Sequence, residues 1–364
     1  MNFNNFKNKR ILITGHTGFK GLWLTISLLN LGANIVGISL KPSAYQKKIL
    51  QQLKSKKIKN YFFDISNYNK IKKTLLKHQP DYVFHLAAQP IVSESFKNPI
   101  KTMETNIIGS SNLLNSLRYI KKKCSVIIVT SDKCYEVKNK KKINFHKETD
   151  RLGGKDPYSA SKASAEIIFK SFYDSFIKEK KNISISSVRA GNIIGGGDWS
   201  LDRIIPDSVK SWNIKKKLII RNPDFIRPWQ HVLDAINGYL LLAIAISKTK
   251  RFNGESFNFG PEKNSIKTVK ELCMKFQFYW NEKSEIDIKN KKKFKETKTL
   301  ALDISKAKKF LKWKPLISFD KNLSLTAEWY KKYYKNFDII KIYIHQIEYF
   351  KNLCKKKKID ISKI

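Results

Sequence analysis

The sequence predicts an α/β fold, a doubly wound parallel sheet followed by a smaller C-terminal substrate-binding lobe. Three observations carry this expectation. Short apolar runs alternate with amphipathic stretches of helical length through the first half of the chain, the pattern of parallel strands with crossover helices on both faces. The first run leads into a glycine-rich turn at residues 15–21. After Gly191, Gly and Pro punctuate residues 195–206 and 222–228, and the strand-like runs become shorter.

The strands are expected at residues 10–14, 33–40, 61–65, 82–87, 125–130 and 183–189, with a helix over 22–31. Residues 1–190 then form the first domain. Residues 191–364 form mainly the second, with a return to the first near 229–260. The lysine-rich stretches 121–123 and 138–142 read as loops. Residues 354–364, which contain four consecutive lysines, read as a frayed tail.

At 364 residues with 41% apolar content, the chain has enough material for a sizeable core. Its longest strongly apolar run, 238–246, falls well short of the roughly 20 residues of a membrane-spanning helix. The N-terminal residues MNFNNFKNKR have no apolar core of a secretory leader, so a cytoplasmic protein is expected. Cys124, Cys134, Cys273 and Cys354 are scattered without a CxxC pair, which speaks against zinc ribbons and disulfide frameworks. The formal charge of +42 points at first to nucleic acid, but only 8 of the 72 basic residues are arginine. Lysine is spread over nearly every surface-like segment, whereas nucleic-acid readout favours clustered charge and arginine forks. A solvated lysine coat is the expectation, with no nucleic-acid or membrane partner.

Glycine is scarce, and 7 of its 15 occurrences fall at 15–21 and 191–197. Gly15, Gly18 and Gly21, in the sequence GHTGFKG, stand directly after a strand and before a helix. This Rossmann-like context suits a dinucleotide: glycine allows a tight turn and close approach of pyrophosphate, and the helix N-terminus offers free N–H groups. His16, Thr17, Phe19 and Lys20 belong to the same turn. Asp64, with Ile65 beside it, is placed to hydrogen-bond an adenine amine, or else to cap a helix. Leu86, Ala87, Ala88 and Gln89 end the fourth strand with small residues that let a dinucleotide cross the sheet edge. The second strand ends in Gly37-Ile38-Ser39-Leu40-Lys41, without the acidic residue that usually holds an NAD ribose. This feature leaves NAD and NADP both open.

Tyr158 and Lys162 form Y-x-x-x-K, one face of a helix if helical. A neighbouring ammonium is expected to lower the tyrosine pKa, so that the phenolate takes a proton from a sugar hydroxyl. Together with the glycine turn, HLAAQ and the Ser131 region, the chain resembles the extended short-chain dehydrogenase/reductases that act on nucleotide sugars. Within that family GHTGFKG, TSDKCYE at 130–136, RAGNIIGGGDW at 189–199 and RPWQHVLDAINGYL at 227–240 resemble the CDP-glucose 4,6-dehydratases. The likeness covers nearly the whole chain, to around Glu348.

The resemblance implies an NAD-binding first domain and a nucleotide-sugar substrate, CDP-glucose. It implies oxidation at carbon 4, loss of water across carbons 5 and 6, and return of the same hydride to carbon 6. Tyr158 would act as base, Ser131 would bond the carbon-4 oxygen, and Lys162 would hold the nicotinamide ribose. Asp132 is the candidate acid toward the carbon-6 hydroxyl. Lys133 stands where the dTDP-glucose enzymes carry glutamate, and is either the base at carbon 5 or a stabiliser of the enolate. The product would feed deoxysugar synthesis for surface polysaccharide such as O-antigen.

Arg189, Arg203, Arg221 and Arg227 lie in or near the second domain, retained where lysine serves almost everywhere else. By resemblance Asn192 and Arg227 contact phosphate, with Arg203 and Arg221 near the nucleotide; interlobe ion pairs are the alternative. Trp199 and Trp229 either wall the pocket or pack in a core. The family likeness also implies a homodimer through residues 102–120 and 157–177. Rival readings are a 4-epimerase or a dehydratase for another nucleotide, and a basic nucleic-acid binder on a vestigial Rossmann fold.

Overall fold

The computed structural model describes residues 3–53, 57–137, 143–281, 283–289 and 299–357. The expected loop at 138–142 and the last residues of the expected tail, 358–364, lie outside them. Seven strands form one sheet: β1 Arg10–Thr14, β2 Asn34–Ser39, β3 Ile58–Phe62, β4 Tyr82–His85, β5 Cys124–Val129, β6 Ile183–Ala190 and β7 Ser256–Phe259. They run in the order β7-β6-β5-β4-β1-β2-β3, with every pairing parallel. The direction of winding reverses between β1 and β4, the switch point beside which α/β sheets bind ligands at the carboxyl ends of their strands.

The expected strands are present with shifted ends. The third begins and ends about three residues early, so Asp64 lies beyond β3 rather than at its tip. Asn60 and Tyr61 pair with Gly37 and Ile38 of β2, and the ladder closes where Phe63 N donates to the Ser39 carbonyl at 2.8 Å. Helix α1 (Phe19–Asn30) begins three residues before the expected Leu22, because Gly18 ends the turn and opens the helix.

Strands central to the sheet are buried on both faces, as their Ile/Val content requires. Helix α2 (Pro157–Phe172) starts on an Asp156 cap whose carboxylate accepts from Ser159 N at 2.9 Å, with Pro157 at its first position. Helix α3 (Val232–Lys248) contains the apolar run noted above. Nearly every residue of it is buried, between α1 and strands β5 and β6, which is why it is apolar all round. Gly238 lets it approach β7; a Cβ there would lie 2.4 Å from the Phe259 ring. No helix among the described residues is long and apolar enough to cross a membrane.

After residue 190 the strands run two to four residues. Short pairings link Ile226–Pro228 with Ile266–Thr268 and Leu218–Ile220 with Ile286–Ile288. Two C-terminal helices, α4 (Phe319–Tyr334) and α5 (Ile339–Lys356), pack on each other, and α5 packs on α1. The chain is thus helical to Lys356 with Cys354 buried, two residues beyond the expected start of the tail. Rings from α4 and α5 close on residues 196–199. A Cβ at Gly196 would lie 1.9 Å from Trp329, Trp23 Nε1 donates to the Gly196 carbonyl at 2.9 Å, and Trp199 packs on Tyr45, Tyr330 and Tyr333.

Behind the sheet's carboxyl edge lies a buried ion pair. Arg189 Nη2 meets Glu166 Oε2 at 2.7 Å, with both side chains at most 5% exposed. Thr130 and Ser187 also donate to Glu166, and Arg189 Nη1 reaches Tyr135 Oη at 2.9 Å. Burial opposes ionisation of Glu166, yet Arg189 and the hydroxyls hold its carboxyl below the usual value. Arg189 is therefore structural, in an ion pair within residues 1–190 rather than the interlobe pair raised as the alternative above.

Glu166→Gln should lower unfolding stability by about 3–5 kcal/mol at neutral pH, since the guanidinium is left buried without its counter-charge. The folded carboxyl titrates below the unfolded one, so its contribution is full above about pH 4.3 and fades as pH falls below that. Urea titrations of both proteins at neutral and acid pH check this: the gap between them should narrow in acid.

Candidate active site

A cleft of about 350 Å³ opens at the carboxyl ends of β1, β4, β5 and β6. Its walls come from the segments that follow those strands and from residues 191–229. Phe19, Lys20, Leu86, Ala88, Ser131, Asp132, Lys133, Tyr158, Lys162, Asn192, Arg203, Arg221 and Arg227 all face it.

The glycine turn reaches it through Phe19 and Lys20. Gly15 has φ +72°, and a Cβ there would meet Ala87 N at 2.8 Å, so neither the backbone nor the space tolerates a side chain. A Cβ at Gly21 would fall 1.9 Å from the Gly15 carbonyl oxygen. Gly18 caps α1 without a side-chain bond, leaving N–H groups of the first turn directed at the cleft. A turn drawn this close to its own backbone, opening the first turn of α1, fits a dinucleotide pyrophosphate. His16 and Thr17 are engaged elsewhere. The His16 ring lies against Gly37, where a Cβ would be 2.3 Å from it, and Nε2 meets Asn60 Oδ1 at 2.9 Å. The Thr17 carbonyl accepts from Gln46 Nε2 at 2.8 Å.

Ser131, Asp132 and Lys133 follow β5 in a single 3-10 turn. Ser131 Oγ donates to Asp132 Oδ1 at 2.9 Å, and Ser131 lowers the Tyr158 pKa. Asp132 is 2% exposed, and its Oδ2 has no hydrogen-bond partner. Burial raises its pKa, opposed by Lys133, Ser131 and Arg227. A Cβ at Gly191 would sit 1.7 Å from Asp132 Oδ2, so glycine at that position makes room for the carboxyl group. Gly191 is part of the second glycine cluster, and this contact is one reason for it.

Tyr158 and Lys162 share a face of α2, with Nζ 5.9 Å from the ring centroid. The tyrosine pKa moves opposite to the expectation. Desolvation pushes it up to about 12 against the lowering effects of Ser131 and Arg203. The Lys162 ammonium is itself lowered to about 8 by burial, and at 5.9 Å it does not offset the burial of the phenol. Lys20 is lowered to about 7 by burial and by the neighbouring Lys162 and Arg203. The cleft is thus crowded with cationic groups that an anionic ligand would relieve.

The second half of the chain supplies the remaining polar groups. Arg203 Nη1 pairs with Asp198 Oδ2, and Arg221 Nη2 with Asp202 Oδ1, each at 2.9 Å. Arg227 is 5% exposed, lies over the Phe225 ring and acts electrostatically on Asp132. Asn192 has φ +37°, and its carbonyl accepts from Gln230 N at 3.3 Å. Trp229 walls the cleft with Nε1 donating to the Lys267 carbonyl at 3.0 Å, whereas Trp199 belongs to the aromatic cluster.

Asp64, Ile65 and Gln89, expected at the cofactor, do not line the cleft, and neither do Gly15, His16, Thr17, Gly18, Gly21 and Ala87. Asp64 accepts from Ser66 N and Lys101 Nζ, both at 2.9 Å, and Asn67 rather than Asp64 caps the following helix. Ile65 packs against Gly109. Gln89 uses its side chain within its own loop, on Ile91 and Thr102. Sequence reasoning passed over Ser93, Asp198 and Asp202. The signal available was scarcity: with only 30 acidic residues in the chain, Asp198, Asp202 and Asp207 fall within ten positions of one another.

Comparison with known proteins agrees with this geometry. Residues 12–326 match the family model described as GDP-mannose 4,6 dehydratase. The chain is 36% identical over 345 residues to a CDP-glucose 4,6-dehydratase of Salmonella typhimurium, covering 93% of this chain and 94% of that enzyme. Among solved structures, an epimerase from Methanothermobacter thermautotrophicus superposes with a TM-score of 0.80 at 22% identity, covering 92% of this chain and 95% of that one. A UDP-glucuronic acid 4-epimerase from Bacillus cereus, in complex with UDP-glucuronic acid and NAD, has a TM-score of 0.77 at 23% identity and covers 89% of this chain and all of that one. With a glycine cradle, a Ser-Tyr-Lys set and a family model spanning most of its length, the chain belongs to the extended short-chain dehydrogenase/reductase family of nucleotide-sugar epimerases and dehydratases.

Proposed function

We propose that the protein is a CDP-glucose 4,6-dehydratase, converting CDP-D-glucose to CDP-4-dehydro-6-deoxy-D-glucose and water. Asp132 carries this reading. A buried carboxyl group with an unpartnered oxygen, lining one cleft with Ser131 and Tyr158 and with its pKa raised by burial, is placed to serve as an acid there. Simple oxidation or epimerisation needs no such acid; loss of a hydroxyl group does. The 36% identity to an enzyme of that name supports the CDP-sugar.

NAD, held by the Gly15–Gly21 turn, Leu86–Ala88 and Lys162, supplies the hydride acceptor and later the hydride donor. Tyr158, oriented by Ser131, takes the proton of the carbon-4 hydroxyl. Once carbon 4 is a ketone, the carbon-5 proton is acidic; Lys133, facing the cleft beside Asp132, takes it onto its amine and returns it to carbon 5 when the hydride goes back to carbon 6. Asp132 delivers its proton to the departing carbon-6 hydroxyl. Arg203, Arg221, Arg227 and Asn192 hold the diphosphate end. The two domains meet at this cleft, 1–190 contributing the cofactor side and 191–364 most of the nucleotide side.

We also propose the homodimer through residues 102–120 and 157–177, whose helices span 99–117 and 157–177. Apolar side chains stand exposed there, Ile100 at 71%, Ile108 at 50% and Ile167 at 57%, and a partner surface would bury them.

Mass spectrometry of reactions with CDP-, dTDP-, UDP- and GDP-glucose, without added reductant, tests the activity. The CDP-sugar should lose one water, and a product of unchanged mass would mean epimerisation instead. Tyr158→Phe should slow cofactor reduction by about 10²–10⁴-fold. Lys133→Ala should leave that reduction intact and slow water loss, seen as accumulation of reduced nicotinamide. An equal block of reduction by both variants would overturn the assigned roles. Sedimentation at micromolar concentration should give twice the chain mass, and Ile167→Asp should shift it toward the monomer.

A further inference from the structure

Arg203 and Arg221 both sit in carboxylate pairs, but the two pairs differ in kind. Asp198, the partner of Arg203, is buried. Its Oδ1 accepts from Ser200 N at 3.1 Å and Ser200 Oγ at 2.7 Å, and its backbone carbonyl accepts from Tyr330 Oη. It is fixed and can only position its arginine. Asp202, the nearer of two carboxylates beside Arg221 (Asp207 Oδ2 lies 4.0 Å away), is about one-third exposed and has φ +55°. Leu201 beside it is 71% exposed. Its second oxygen, Oδ2, accepts from Ser93 Oγ at 2.6 Å. Ser93 belongs to the segment after β4 and Arg221 follows the short strand Leu218–Ile220. One carboxylate therefore joins two walls of the same cleft, with each oxygen held from a different side.

We infer that Asp202 is an internal stand-in for the substrate's phosphate: its carboxylate bridges Ser93 and Arg221 in the free protein and is exchanged for a phosphate oxygen when a nucleoside diphosphate enters. The chemistry of the two ligands is the same at this point. A carboxylate and a phosphate can each offer one anionic oxygen to the arginine and a second to the serine. The exchange is cheap because an ion pair one-third exposed is worth little in water. The bridge occupies Arg221 against small anions, and it opens when the incoming ligand brings further contacts, such as those of Arg203 and Arg227. This inference rests on Arg221 being a contact for the diphosphate, as proposed above.

Calorimetric titration of CDP, UDP and dTDP, each beside its own nucleoside, at saturating NAD, tests it. Asp202→Asn is nearly isosteric and tolerates the positive φ, so it should fold normally. It should tighten binding of the recognised diphosphate by about threefold and leave the nucleoside unaffected. Ser93→Ala removes the other anchor without changing any charge, and should tighten the diphosphate in the same direction. If Asp202→Asn tightens binding but Ser93→Ala does not, only the charge of Asp202 matters and the bridge is overturned. If neither variant tightens binding while Arg221→Lys weakens it, the bridge is overturned and the arginine contact stands. If Arg221→Lys binds the diphosphate as the parent does, the contact itself is wrong and the inference falls with it.

Discussion

The ion pair between Glu166 and Arg189 is the interaction on which the geometry of the cleft depends. Glu166 lies one helical turn beyond Lys162, and its carboxylate accepts from Thr130, the residue before Ser131. Arg189 stands three positions before Asn192. One buried contact thus registers the end of β5, the face of α2 and the end of β6 against one another. A hydrophobic replacement of the pair could match its stability, but would not fix three elements at a single point. The hydroxyls of Ser187 and Ser256 complete the set, Ser256 Oγ lying 3.1 Å from both Glu166 Oε2 and Arg189 Nη2, which draws the last strand of the sheet into the same network.

Much of this was legible in the sequence. Alternating apolar runs located six strands of the sheet because parallel strands are buried on both sides and leave little ambiguity of pattern. The glycine turn, Ser131 to Lys133, and Tyr158 with Lys162 all meet at one cleft because they occupy the same ends of neighbouring strands. The seventh strand, Ser256–Phe259, is four residues long and comes after the irregular section, so periodicity marked only a return of the chain near it. What local pattern could not reveal was depth. Y-x-x-x-K places an ammonium on the face of a phenol, but the sign of the tyrosine shift depends on how much water the surrounding fold removes.

Arginine and tryptophan showed the same limit. Among the four arginines singled out, three face the cleft and one lies behind it in a buried pair. Trp199 and Trp229 divide between aromatic packing and the cleft wall. Residue type indicates that a fork of donors or a large ring is needed; the partner that needs it lies far away in sequence. Asp64 illustrates the converse. Its proximity to a strand end suggests a ligand role, and nothing in the sequence marks Lys101, thirty-seven residues later, as the partner of its carboxylate.

The rings that grip residues 196–199 come from the far end of the chain, with Tyr330 contacting the Asp198 carbonyl across 132 positions. During synthesis, the segment that carries Asp198 and Arg203 leaves the ribosome long before those rings exist. The wall that carries Asp198 and Arg203 therefore stays unpacked until the last two helices are made, and so does the part of α1 on which α5 lies. Closure of the cleft thus falls at the end of synthesis.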